Sequence, residues 1–200
     1  MFKKILLAAA VLVSAASAIE FGPRVGGNMS TMWGDNAEKV TSGFGFNAGI
    51  AAKLAFKDSP ISITPEVMID MRNTGNEVKE KVTDEYSMTE WALDIPVMIR
   101  CELLGLFYIE AGPSFNFNLS TSETAKTGKV EKTTDFDVNT FEFGLAFGVG
   151  TNIISAVDLD FRVNLGITDI FQDKTFAGFS SPMSDRKNLQ FALGASIWLF

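Results

Sequence analysis

Histidine is missing from all 200 residues, and cysteine occurs once, as Cys101. Without an imidazole there is no Ser-His or Cys-His nucleophilic pair and no histidine metal site. A single cysteine closes no disulfide within the chain. Basic residues never form a block, and 17 Lys and Arg are outweighed by 24 Asp and Glu, so nucleic acid is a poor partner. Past residue 18 there is no run of about 18 apolar residues, which excludes spanning helices. No motif calls for a cofactor or a metal. A carboxylate pair remains as a conceivable acid–base device, but nothing in the spacing singles one out, and no enzymatic activity is expected.

What is present begins with a basic start, Lys3 and Lys4, followed by an apolar run over residues 5–13. Ala16-Ser17-Ala18 then supplies the small residues that a signal peptidase accepts. The run falls short of the roughly 20 residues a spanning helix needs. Residues 1–18 are therefore expected to be a removed signal peptide, and residues 19–200 a single domain. Losing Lys3 and Lys4 lowers the 17 basic residues to 15 against 24 acidic ones.

The rest of the chain alternates with a period of two. Over residues 43–56, Phe44, Phe46, Ala48, Ile50, Ala52, Leu54 and Phe56 form one set. Gly43, Gly45, Asn47, Gly49, Ala51, Lys53 and Ala55 form the other. Successive side chains of a strand point to opposite faces, so one face is apolar and the other small or polar. The same pattern recurs over residues 20–30, 61–72, 90–101, 107–119, 141–150, 157–168 and 189–199, giving eight segments. Each is as long as the ~9–11 residues with which a tilted strand crosses a bilayer.

Glycine indicates which face is outside. Of the 17 glycines, 11 fall on the polar face, among them Gly148, Gly150 and Gly194. On a water-facing surface they would weaken the strands and pack nothing. Inside a narrow barrel they leave room for a few large polar chains. In lipid every backbone group must be paired, so the sheet must close. The fold expected is all-β: an eight-stranded antiparallel up-and-down transmembrane β-barrel filled by its own side chains. A soluble lipocalin-like ligand-binding barrel is the less favoured alternative, and it requires the apolar set to point inward.

The connections fit a barrel in an outer membrane. Short turns fall at residues 57–60, around Leu104-Gly105 and at 152–155; long hydrophilic loops fall at 34–42, 73–87, 121–139 and 172–187. An even strand count puts both termini on the short-turn, periplasmic side. Trp33, Trp91, Phe107, Tyr108, Phe141 and Trp198 stand at segment ends, where they suit interfacial girdles.

The stretches GPRVGGNMST (22–31), GFGFNAGIAAKL (43–54), ITPEVMID (63–70), LDIPVMIR (93–100), FYIEAGPSFNF (107–117), FGLAFGVG (143–150) and LDFRVNLGITDIF (159–171) together resemble the PorT-like outer-membrane β-barrel domain family, small barrels of Bacteroidetes-type bacteria. That resemblance implies an outer-membrane barrel domain without a defined biochemical role. Phe200 resembles the terminal aromatic by which the barrel assembly machinery recognises its substrates. Phe200 and Trp198 nevertheless share parity with Ser196 and Gly194, so either the last residues change phase or both rings sit at the periplasmic rim.

Seven inward charges fall at similar depth when counted from the periplasmic ends: Arg24, Lys53, Glu66, Arg100, Glu110, Asp160 and Arg162. Arg100 and Glu110 become cross-strand neighbours if their hairpin centres on Gly105. Buried charges have to be paired, because an orphan is costly. The set therefore reads first as a structural plug and second as an ion pathway or gate. The functional expectation is a monomeric outer-membrane barrel, in contact with lipid, that presents four surface loops in a structural or interaction role to a partner not yet known. The alternative is a narrow channel for ions or small solutes.

Overall fold

The computed structural model describes residues 16, 18–34, 40–80, 82–127, 130–135, 138–154, 156–170 and 186–199. Among these, nine strands form: β1 Ala18–Trp33, β2 Val40–Ala55, β3 Ile61–Glu80, β4 Val82–Leu103, β5 Phe107–Thr127, β6 Val130–Asp135, β7 Phe141–Ile154, β8 Val157–Gly166 and β9 Lys187–Ile197. All ladders are antiparallel, in the order β4-β3-β2-β1-β9-β8-β7-β5-β6, and a β4–β5 ladder closes the ring. Eight strands are the staves of an up-and-down barrel, because β6 pairs only with the outer end of β5.

The alternation sorts as the glycines indicate. Phe44, Ile50, Phe147, Val149 and Leu193 lie on the outer wall, with Phe44 79% exposed. Arg24, Glu66, Asp70, Arg100, Glu110, Asp160 and Arg162 are buried within it. A ligand-binding barrel with a dry apolar interior would need the opposite arrangement, so the lipocalin-like alternative is overturned. Among the described residues no helix is long and apolar enough to cross a membrane.

Two short turns are fixed by local chemistry. At one, Ser59 N–H donates to Phe56 O, Ser59 Oγ accepts from Ile61 N–H, and Asp58 takes φ 55°. At the other, Leu104 and Gly105 both have positive φ between the paired Leu103 and Phe107, so the hairpin centres on Gly105. Arg100 and Glu110 are consequently direct cross-strand partners.

The long connections depart from expectation. Apart from residue 81, which lies outside the described residues, residues 73–87 are strand, paired from Asn73↔Thr89 out to Glu80↔Val82. Within 121–139, β5 runs on to Thr127 and β6 pairs back on it. Threonine and valine recur there, and β-branched residues favour the extended backbone. An extension outside the lipid does not need one apolar face, so period-two patterning misses it. Opposite Trp91 and Ala92, β5 contributes one extra residue, Leu119, and this bulge turns the strand as it leaves the barrel wall. Most of the expected leader and of loops 34–42 and 172–187 lies outside the described residues, and Ala18, the leader's expected last residue, begins β1.

The C-terminal phase is settled up to residue 199. Trp198 N–H donates to Ala156 O and Leu199 N–H to Phe21 O. Trp198 is buried and Leu199 is exposed, so the alternation continues without a bulge. Phe200 lies outside the described residues. Of the six aromatics expected at the interfaces, Trp33, Trp91, Phe107 and Phe141 are on the outer wall, whereas Tyr108 and Trp198 turn into the lumen.

Candidate functional site: the charged lumen

Pairing across the lumen follows from register. Glu110, Gly148 and Arg162 form one row across β5, β7 and β8. A side chain at Gly148 would put its Cβ 2.9 Å from Glu110 Oε1 and 3.0 Å from Arg162 Cγ. With glycine there, Arg162 Nε reaches across to Glu110 at 2.5 Å. In the next row, Tyr108, Gly150, Asp160 and Gly194 alternate large and absent side chains in the same way. Glycine is therefore the spacer that lets side chains two strands apart touch.

Three arginines organise the turn-side half. Arg24 (β1) donates to both oxygens of Asp160 (β8) at 2.6 and 2.7 Å and to Ser196 Oγ at 3.1 Å, and its Nε lies 3.2 Å from Glu66 (β3). Arg162 (β8) grips both oxygens of Glu66 at 2.7 and 2.8 Å. Arg100 (β4) donates to Asp158, lies 3.5 Å from Glu110, and stacks 3.7 Å from the centre of the Tyr108 ring. Planar guanidinium forks suit such two-pronged pairing. Trp198 Nε1 donates to Asp158 at 2.8 Å.

Six of the seven charges expected in the lumen, Arg24, Glu66, Arg100, Glu110, Asp160 and Arg162, share this connected set of ion pairs. Lys53 does not. It pairs with Glu20 at 3.3 Å and Glu102 at 3.7 Å near the rim, 5.6 Å from the Trp198 ring. Its placement by residue count failed because the strands are staggered: Arg24 stands opposite Gly49, four residues farther up β2 than Lys53.

A second cluster in the loop-side half escaped the sequence reading. Arg72 (β3) donates to Asp70 at 2.6 Å, to Glu90 at 3.2 Å and to Asn116, and lies 3.8 Å from Glu142. Amides fill the remaining positions: Asn28 and Gln190 donate to Asp70, and Asn118 and Asn188 to Glu142. Asp94 accepts from Ser114 Oγ at 2.5 Å. Parity was the available signal, since Asp70, Arg72, Glu90, Asp94 and Glu142 all occupy inward positions. A cavity of about 20 Å³ remains among Arg72, Asn116, Glu142, Asn188 and Gln190, room for about one water. Among the described residues no group of three or more acidic or cysteine side chains is arranged to hold a metal.

A closed sheet, an apolar outer wall and an ionised interior are the requirements of a strand-built membrane protein. A family model described as "Outer membrane protein beta-barrel domain" matches residues 12–172. The chain belongs to this family. This outer-membrane barrel is an integral membrane protein of the outer membrane. No curated protein matches it. Among solved structures it is similar to Neisserial surface protein A, at 11% identity and TM-score 0.48, over 90% of this chain and 99% of that one. It is similar to Ail, the attachment invasion locus protein of Yersinia pestis in complex with a heparin analogue, at 11% identity and TM-score 0.49, over 90% and 99%. A third is OprG of Pseudomonas aeruginosa, at 13% identity and TM-score 0.39, over 90% and 91%.

Proposed function

We propose that this barrel is a closed, non-catalytic scaffold of the outer membrane that carries outward-projecting hairpins to a partner, and that its lumen charges are a plug. The carrying observation is the crossing of Arg24, Glu66, Arg162 and Asp160. These belong to β1, β3 and β8 and meet in the middle of the barrel at 2.6–3.2 Å. A solute would have to break several charge-assisted bonds at once to pass. Breaking a buried pair by removing one partner costs about 3–5 kcal/mol, which favours a shut lumen.

The signal-like start and the short-turn side that the termini share support export, with both termini in the periplasm. The PorT-like stretches support that branch of the family as the finer assignment. Phe200 is assigned to recognition by the assembly machinery. The barrel acts as a monomer whose first partner is the surrounding lipid. A narrow channel is the second reading, favoured by the small polar cavity beside Arg72. Planar-bilayer recording decides between them. The plug reading expects no reproducible conductance. A steady conductance abolished by Arg100→Ala or Glu110→Ala would establish the channel instead.

A further inference from the structure

The outer wall is not uniformly filled. A groove of about 570 Å³ is cut into it across β4, β5, β7 and β8, with Ile99, Ile109, Phe147, Phe161 and Val163 as walls. Register explains its depth. One row of outward residues runs Ile99↔Ala111↔Phe147↔Val163, and in it only Ala111 carries a single methyl group. The floor reaches the sheet itself beside Gly148, which has no side chain.

We propose that this groove holds one acyl chain of a phospholipid from the leaflet on the short-turn side. Apart from the Cys101 thiol, the outward side chains that line the groove are hydrocarbon, and the backbone beneath them is already paired in the β5–β7 ladder. An occupant thus has nothing to hydrogen-bond, which suits an alkyl chain and not a peptide. Its size falls within the range of about 300–1,000 Å³ that single small ligands fill. A second copy of the barrel would need some 20–30 residues a side, whereas ten residues line this groove. It lies toward the Leu104–Gly105 turn, since Ala111 is four residues from the end of the ladder at Phe107. Assigning that leaflet to phospholipid rests on the periplasmic placement of the turns made above.

The test uses barrel refolded into vesicles of phosphatidylethanolamine, phosphatidylglycerol and lipopolysaccharide, extracted into mild detergent and weighed by native mass spectrometry. Wild type is expected to keep one phospholipid. Ala111→Phe and the milder Ala111→Leu should lower that retention at least fivefold while still showing the heat-modifiable gel shift of a folded barrel. Ala48→Phe, on the opposite wall, should leave it unchanged. Equal retention by wild type and both Ala111 variants, retention of lipopolysaccharide in place of phospholipid, or a dimer mass lost on Ala111→Phe would each overturn the proposal. Orientation is read separately, by labelling Asp58→Cys on whole cells. Labelling from outside together with retained phospholipid would sink the orientation and leave the groove standing.

Discussion

Arg24 and Asp160 hold each other through two parallel hydrogen bonds of 2.6 and 2.7 Å although they stand 136 positions apart in the chain. The contact passes over β9, which stands between their two strands. Replacing Arg24 with Met leaves Asp160 and Glu66 sharing Arg162 alone. Breaking a buried pair by removing one partner costs about 3–5 kcal/mol. The double change Arg24→Met with Asp160→Leu strands less charge and should be less damaging than Arg24→Met by itself. Urea unfolding in vesicles, followed by heat-modifiable mobility, measures both; a single variant as stable as wild type would refute the account of the network.

Gly194 is the spacer under that contact. A Cβ there would lie 2.3 Å from Arg24 Nη2 and 2.8 Å from its Cζ. Gly194→Ala should push the guanidinium off Asp160, at a cost of about 1.5–3 kcal/mol, the worth of hydrogen bonds to charged groups. In an Arg24→Met background most of that cost should vanish. A double-mutant cycle reports the coupling, expected within about 0.5–3 kcal/mol for residues in contact. Additive effects would mean that Gly194 matters only for the strand.

Parity is the part of this architecture that a one-dimensional sequence carries best, because a strand's period of two survives without knowledge of its neighbours. It put Glu66, Arg100 and Arg162 inside, and Gly105 fixed the partner of Arg100. Depth is different, since it depends on the stagger of every strand. Counting from segment ends set Lys53 at the depth of Arg24, whereas Lys53 stands four residues, about 13 Å along β2, from the residue opposite Arg24. The same depth criterion left out Asp70, Arg72 and Glu142, whose parity was already inward. Position at segment ends misplaced Tyr108 and Trp198, expected at the interface although they share parity with Glu110 and Ser196. The hairpin beyond Trp91 was invisible because it carries no apolar stripe.

The three tryptophans should therefore divide into two environments. Trp33 and Trp91 are 37% and 36% exposed on the outer wall, and Trp198 is 6% exposed within the lumen. In single-tryptophan variants reconstituted with brominated lipid, Trp33 and Trp91 should be strongly quenched and Trp198 little affected. Asp158→Ala removes the acceptor of the Trp198 ring N–H. It should shift the emission of the Trp198-only protein and leave the other two unchanged. Strong quenching of Trp198 by brominated lipid would place that ring outside and reopen the phase of the last strand.

Orientation in the membrane follows from where thiols react. The native Cys101 is half-buried on the outer wall, so a Cys101→Ala background is needed first. Phe46→Cys and Phe147→Cys lie on the apolar wall and should resist a water-soluble maleimide until the barrel is unfolded. Thr133→Cys is exposed on β6, beyond the wall, and should react on intact cells. Asp58→Cys, at the tip of a short turn, should react only after the outer membrane is permeabilised. The four sites constrain each other. If Asp58→Cys labels on intact cells and Thr133→Cys does not, the barrel is inverted. If Phe46→Cys labels in the folded state, its outer wall is not in lipid.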